Sequence, residues 1–97
     1  MSTVEVRHND ALSRYELLVG GELVGRATYE ASGADSEVLV FPHTVIDPEY
    51  RGQGLGARLV RGALDDVRMS GRRVVPRCWY VAAFIDEHPD YADLLAP

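Results

Sequence analysis

The sequence predicts an α/β chain of the α+β kind: a mostly antiparallel sheet of about five strands with two helices, in the order β-β-β-β-α-β-α. Three observations predict it. Apolar and polar residues alternate through the first half between tight-turn signals. One helical periodicity starts at Leu55 and a second, shorter apolar stretch at Trp79, with a short apolar strand between them. The 97 residues, 46% hydrophobic and 26% charged, suffice to bury one core and leave no room for another, so residues 1–97 are expected to form a single domain.

In the first strand Val4, Val6 and His8 alternate with Glu5 and Arg7, and Asn9-Asp10 breaks the run. Tyr15, Leu17 and Val19 alternate next, and Gly20-Gly21 supplies a tight hairpin turn into residues 22–30. Ser32-Gly33-Ala34-Asp35 marks a further turn. Residues 37–46 are rich in Val, Leu, Phe and Ile with little alternation, which reads as a strand buried on both faces. Asp47-Pro48-Glu49-Tyr50 interrupts it. Leu55, Leu59, Val60, Ala63, Leu64 and Val67 then recur at helical spacing, with Arg58, Arg61, Asp65 and Arg68 on the opposite face and Gly71 as the stop. Residues 73–77 form a short strand and residues 79–85 a short helix, which should end at His88 because a residue before proline is disfavoured in a helix. Trp79, Tyr80 and Phe84 fall at spacings compatible with one helical face and are read as core packing.

Composition excludes several function classes. No apolar run approaches the ~18 residues of a membrane span, and a net charge of −5 argues against coating nucleic acid. All ten basic residues are arginine, so the chain offers no lysine of its own for modification. The single Cys78 excludes an intrachain disulfide and a multi-cysteine zinc site, no metal is expected, and no signal-like segment precedes the first strand; the expected location is the cytoplasm. The charge is uneven along the chain. Residues 1–50 hold three arginines and nine acids, residues 51–77 seven arginines and two acids, and residues 78–97 no arginine and four acids. A contiguous basic segment inside an acidic chain can receive a small anion.

That segment opens with Arg51-Gly52-Gln53-Gly54-Leu55-Gly56, placed between a strand and an amphipathic helix. Strand, glycine-rich turn and helix N-terminus together suit a pyrophosphate: the backbone can approach closely, unpaired N–H groups point at the anion, and the helix dipole favours negative charge. The alternative is a turn used only for close strand-to-helix packing. The motif alone is weak evidence; its position between a buried strand and an amphipathic helix raises it.

Val45-Ile46-Asp47-Pro48-Glu49-Tyr50-Arg51-Gly52-Gln53-Gly54-Leu55-Gly56 resembles the acetyl-CoA motif of the GCN5-related N-acetyltransferases (GNAT), whose core is Gln/Arg-x-x-Gly-x-Gly/Ala. With His43-Thr44 before it, and Val75-Pro76-Arg77-Cys78 and His88-Pro89-Asp90-Tyr91 after it, the chain resembles the minimal members of that family from about residue 5 to residue 95. The resemblance implies a truncated GNAT fold and acetyl-CoA or coenzyme A as co-substrate. It implies that the backbone of Arg51, Gly52, Gln53, Gly54, Leu55, Gly56 and Ala57 holds the pyrophosphate, and that Thr44, Val45 and Ile46 align pantetheine and the acetyl carbonyl. Against larger relatives, the helices after the first strand that wall the acceptor and the C-terminal strand pair are missing, so the acceptor is less legible than the cofactor.

Acetyl transfer to an amine needs a base, because an alkyl amine of pKa ~10.4 is mostly protonated at neutral pH. His43, eight residues before Arg51, suits that duty; a strand histidine bonded to a neighbouring carbonyl is the alternative. Cys78, at the end of the fifth strand, is a candidate acid for the leaving thiolate or a nucleophile; a buried small hydrophobe is its alternative. His88 and Tyr91 are read as capping and packing the C-terminus. The expectation is therefore an acetyl-CoA-dependent N-acetyltransferase acting on an amine, with the acidic flanks favouring a cationic acceptor. The alternative is a CoA-binding or acyl-CoA-binding module without efficient catalysis.

Overall fold

The computed structural model describes residues 3–32 and 37–97. The strands are β1 (Val4–Asn9), β2 (Arg14–Val19), β3 (Glu22–Ser32), β4 (Val38–Ile46) and β5 (Arg73–Val75); the helices are α1 (Leu55–Met69) and α2 (Trp79–Glu87). Short 3-10 turns at Asp10–Leu12, Pro48–Tyr50 and Pro89–Leu94 complete the order, which matches the expected β-β-β-β-α-β-α. Of the turn read at Ser32 to Asp35, residues 33–35 lie outside the described residues. The sheet runs β1-β2-β3-β4-β5, antiparallel through β4, with β5 parallel to β4 after the α1 crossover.

Local signals account for the boundaries. Gly20 and Gly21 both have positive φ (58° and 84°), which gives the tight β2–β3 turn its twist. At the end of α1 the Arg72 N–H donates to Val67 O at 3.2 Å and the Gly71 N–H to Arg68 O at 3.1 Å, the double closure that a left-handed Gly71 allows. The buried stripe of α1 is the one its periodicity marked, with Gly56 added to Leu55, Leu59, Val60, Ala63, Leu64 and Val67. α2 ends at His88, whose Nδ1 meets Phe84 O at 2.8 Å and whose ring stacks on Phe84.

One core cluster joins both helices to one face of the sheet: Tyr15, Leu17, Ala27, Tyr29, Leu39, Phe41 and Val74 meet Leu59, Leu64, Val81 and Phe84. This corrects the reading of β4 as buried on both faces. Leu39 and Phe41 are buried but their neighbours are not, because both helices cover the same side. Burial on both faces belongs instead to β2. There Glu16, 2% exposed, accepts from Arg7 Nη2 (3.0 Å), Arg14 Nε (2.8 Å) and Asn9 Nδ2 (3.1 Å) on the side away from the helices. Burial alone would raise the Glu16 pKa, but these bonds outweigh it and hold the carboxyl below its ordinary value.

Candidate active site

The site begins with a change of register in β4. Between the pairs Thr28–His43 and Glu30–Val40, one residue of β3 (Tyr29) faces two of β4 (Phe41 and Pro42). That β-bulge suits a proline, which has no N–H to lose. It also turns the following residues over. Thr44 and Ile46, opposite Ala27 and Gly25, face the helices, whereas His43 and Val45, opposite Thr28 and Arg26, face the uncovered side.

β4 and β5 part at the same place. Their pairing stops at Val40–Val75, the Cys78 N–H makes one more bond to Phe41 O (2.8 Å), and the chain leaves as α2. The Asp47 N–H donates to Val24 O, so along this stretch alternate residues bond to β3, and the N–H and C=O of Thr44 and Ile46 point to the open side. Arg51 Nε meets Ile46 O there at 3.1 Å. The resulting cleft, about 510 Å3, is lined by Thr44, Val45 and Ile46, by Tyr50, Arg51, Gly52, Gly54, Leu55 and Gly56, and by Trp79 and Tyr80.

Its far wall is the glycine-rich turn. Gly52 and Gly54 have φ of 81° and 74°, and a β-carbon on either would meet no atom within 4 Å. These two are glycine for the backbone path. Gly54 is the N-cap of α1 and offers no side chain, the first turn of α1 holds no acid, and the leading N–H groups of the helix are left for an anion. Gly56 is glycine for another reason: a β-carbon there would stand 2.6 Å from the hydroxyl of Tyr80. On the near rim, Glu22 accepts from the Tyr50 hydroxyl at 3.3 Å and, with Glu49 and Asp47, raises that phenol's pKa. The cleft thus has an acidic rim at Tyr50 and a cationic residue, Arg51, beside it.

Cys78, 9% exposed and at the N-cap of α2, does not itself line the cleft, but its Sγ lies 3.7 Å from Oγ1 of Thr44, which does. His43 does not join them. It is exposed and does not line the cleft, since the bulge turns it to the other face. Among the described residues no three His, Cys, Asp or Glu side chains converge as a metal site, and no helix is long and apolar enough to cross a membrane.

A family model described as GCN5-related N-acetyl-transferase matches residues 14–94. The chain belongs to the GCN5-related N-acetyltransferase family. Acyl-CoA-dependent acetyl transfer is the general chemistry of that family. Protein NATD1 of Bos taurus is 34% identical over 71 residues, which cover 71% of this chain and 61% of that protein's length. The uncharacterized N-acetyltransferase YjhQ of Escherichia coli strain K12 is 34% identical over 65 residues, 66% of this chain and 36% of that one. Among solved structures, a GCN5-like protein from Staphylococcus aureus superposes with a TM-score of 0.69 at 18% identity, covering 99% of this chain and 91% of that one. N-acetylglutamate synthase from Neisseria gonorrhoeae, complexed with coenzyme A and N-acetyl-glutamate, gives a TM-score of 0.55 at 21% identity, covering 72% of this chain and 18% of that one. At these identities the two structures share the fold.

Within the GNAT frame, three cleft residues escaped the sequence reading. Trp79, taken as core, is 77% exposed, and Tyr80 is only half-buried; the buried residues of α2 are Val81, Phe84 and Ile85. Tyr50 was read as part of a strand interruption and of the motif stretch, without a place among the cofactor-binding residues. The available signal was position, since an aromatic pair directly after Cys78 starts a helix at the point where β5 leaves the sheet. The basic segment also divides. Arg61, Arg68 and Arg73 bind the C-terminal turn, through Tyr91 Oη (3.3 Å), Asp93 Oδ2 (2.7 Å) and Asp93 O (2.7 Å), whereas Arg51 sits at the cleft. Tyr91 is buried and donates to Asp65 Oδ1 at 2.6 Å, the packing role expected of it.

Proposed function

We propose that this chain transfers the acetyl group of acetyl-CoA to an amine. One observation carries the reading: the parted strands β4 and β5 open directly onto the uncapped N-terminus of α1, with Cys78 in contact with Thr44 of the cleft lining. The residues fit the co-substrate. Arg51, Gly52, Gln53, Gly54, Leu55, Gly56 and Ala57 would take the pyrophosphate on backbone N–H groups, and the open N–H groups of Thr44 and Ile46 would hold pantetheine and polarise the thioester carbonyl. Acetyl-CoA supplies the acyl group as its thioester.

His43 and Cys78 lie on opposite faces of the sheet, and this divides the labour. The amine approaches from the uncovered face, where His43 accepts its proton; Cys78, on the cofactor side, donates to the departing thiolate. The acidic chain favours a cationic amine, and we place the reaction in the cytoplasm, with residues 1–97 acting as one domain.

The test is melting temperature with acetyl-CoA, CoA and dephospho-CoA, followed by CoA release with a panel of amines. A ligand at 100 times its Kd stabilises by about 2.7 kcal/mol. No shift with any of the three removes the reading. One observation favours binding without efficient turnover: only the 3-10 turn Asp10–Leu12 separates β1 from β2, so no helix walls the acceptor there. A full thermal shift with no CoA release from any amine selects that second reading.

A further inference from the structure

Trp79 is the sole tryptophan of the chain, and it is 77% exposed while lining the cleft. A side chain of this kind contributes 150–250 Å2 when covered, so leaving it in water forgoes a large stabilisation unless something docks on it. Three facts say where. Trp79 directly follows Cys78, whose Sγ lies 3.7 Å from Thr44 Oγ1, and Trp79 and Thr44 line the same cleft. Its ring meets Tyr80 edge-on, centroids 5.8 Å apart and planes at 68°, and Tyr80 is itself seated against Gly56. Among the described residues its indole N–H donates to no partner. The indole is therefore held at one edge and offers an apolar surface and one free donor.

Resting on the acetyl-CoA reading above, we infer that Trp79 is the binding residue for the pantetheine limb and closes the cleft over it. The limb is flexible and largely apolar and carries two amides, so it needs a flat apolar cover and a donor for a carbonyl, both of which an indole supplies. On this assignment the nucleotide half, held by its phosphates at the glycine turn, leaves Trp79 uncovered.

The sole tryptophan reports on itself. Its emission and acrylamide quenching are followed with CoA, acetyl-CoA and adenosine 3′-phosphate 5′-diphosphate, which keeps every phosphate of CoA and lacks pantetheine. Melting temperature is measured in parallel. CoA and acetyl-CoA are expected to shift emission to the blue and reduce quenching about threefold, whereas the nucleotide half raises the melting temperature and leaves quenching unchanged. Trp79→Ala, at an exposed position that tolerates truncation, should raise the Kd of CoA about tenfold and that of the nucleotide half by less than about twofold. A thermal shift with CoA but unchanged quenching, or equal protection by the nucleotide half, overturns this inference and leaves the cofactor reading standing. No thermal shift with CoA overturns both.

Discussion

The hydroxyl of Tyr80 stands 2.6 Å from the place a β-carbon on Gly56 would occupy, with its Cζ at 2.9 Å. Gly56 lies in the first turn of α1 and Tyr80 in the first turn of α2, so their contact sets how closely the two helix starts approach at the cleft. Alanine normally stabilises a helix by about 0.5–1 kcal/mol relative to glycine. Here Gly56→Ala should instead lower the melting temperature, because Tyr80 must swing away. In a Tyr80→Ala background the same substitution should raise it. The double-mutant cycle measures that reversal, and the same sign in both backgrounds would remove Tyr80 as the reason for this glycine.

Gly54 separates backbone strain from charge. Its φ is 74° and a β-carbon there meets open space. Gly54→Ala should cost about 1–2 kcal/mol of stability through the left-handed conformation alone and keep a thermal shift with CoA. Gly54→Glu adds a carboxylate where the phosphates are proposed to sit, and should abolish the shift. A CoA shift of wild-type size in Gly54→Glu would move the anion site elsewhere.

His43 and Cys78 should separate from cofactor binding. His43→Ala and Cys78→Ala are each expected to leave the Kd of CoA within about twofold, while amine-dependent CoA release falls about 10²- to 10⁴-fold, the usual contribution of a positioned acid or base. The two losses need not multiply when the residues serve one proton transfer sequence. Full rates in both variants, by steady-state CoA release, would remove both residues from the chemistry.

Glu16 gives the protein an acid-sensitive joint. Its folded pKa lies below the ordinary value, so its stabilisation is complete above about pH 4.3 and is lost as pH falls through the depressed folded value. Protonation would leave Arg7 and Arg14 over a neutral acid. Urea titrations between pH 7 and pH 2 should show Glu16→Gln about 1–3 kcal/mol less stable at neutral pH and less sensitive to acid than the wild type. Parallel pH profiles would place the acid sensitivity in other carboxylates.

The elements were legible because their signals are local. The alternation of Val4, Val6 and His8, the Gly20-Gly21 turn, the stripe from Leu55 to Val67 and the stop at Gly71 all stand where they were read. β4 was misread because Val, Leu and Phe in succession report apolar content, and whether a second layer covers the strand depends on where the helices pack. The cleft was half legible. Gly52 and Gly54 belong to a chain-local motif, but Trp79 and Tyr80 looked like core because a nine-residue helix holds too few turns for its periodicity to separate a buried face from an open one.

By itself the sequence determined the order of the elements, the buried stripe of α1 and a glycine turn that leaves a helix N-terminus uncapped, all consequences of residues within a few positions of one another. Only the tertiary structure decided which way the residues after Pro42 face, since one extra residue in β4 reverses every side chain beyond it. That reversal puts Thr44 beside Cys78 and sends His43 to the other face; Pro42 marks an interrupted ladder, but residue type does not say which faces are exchanged.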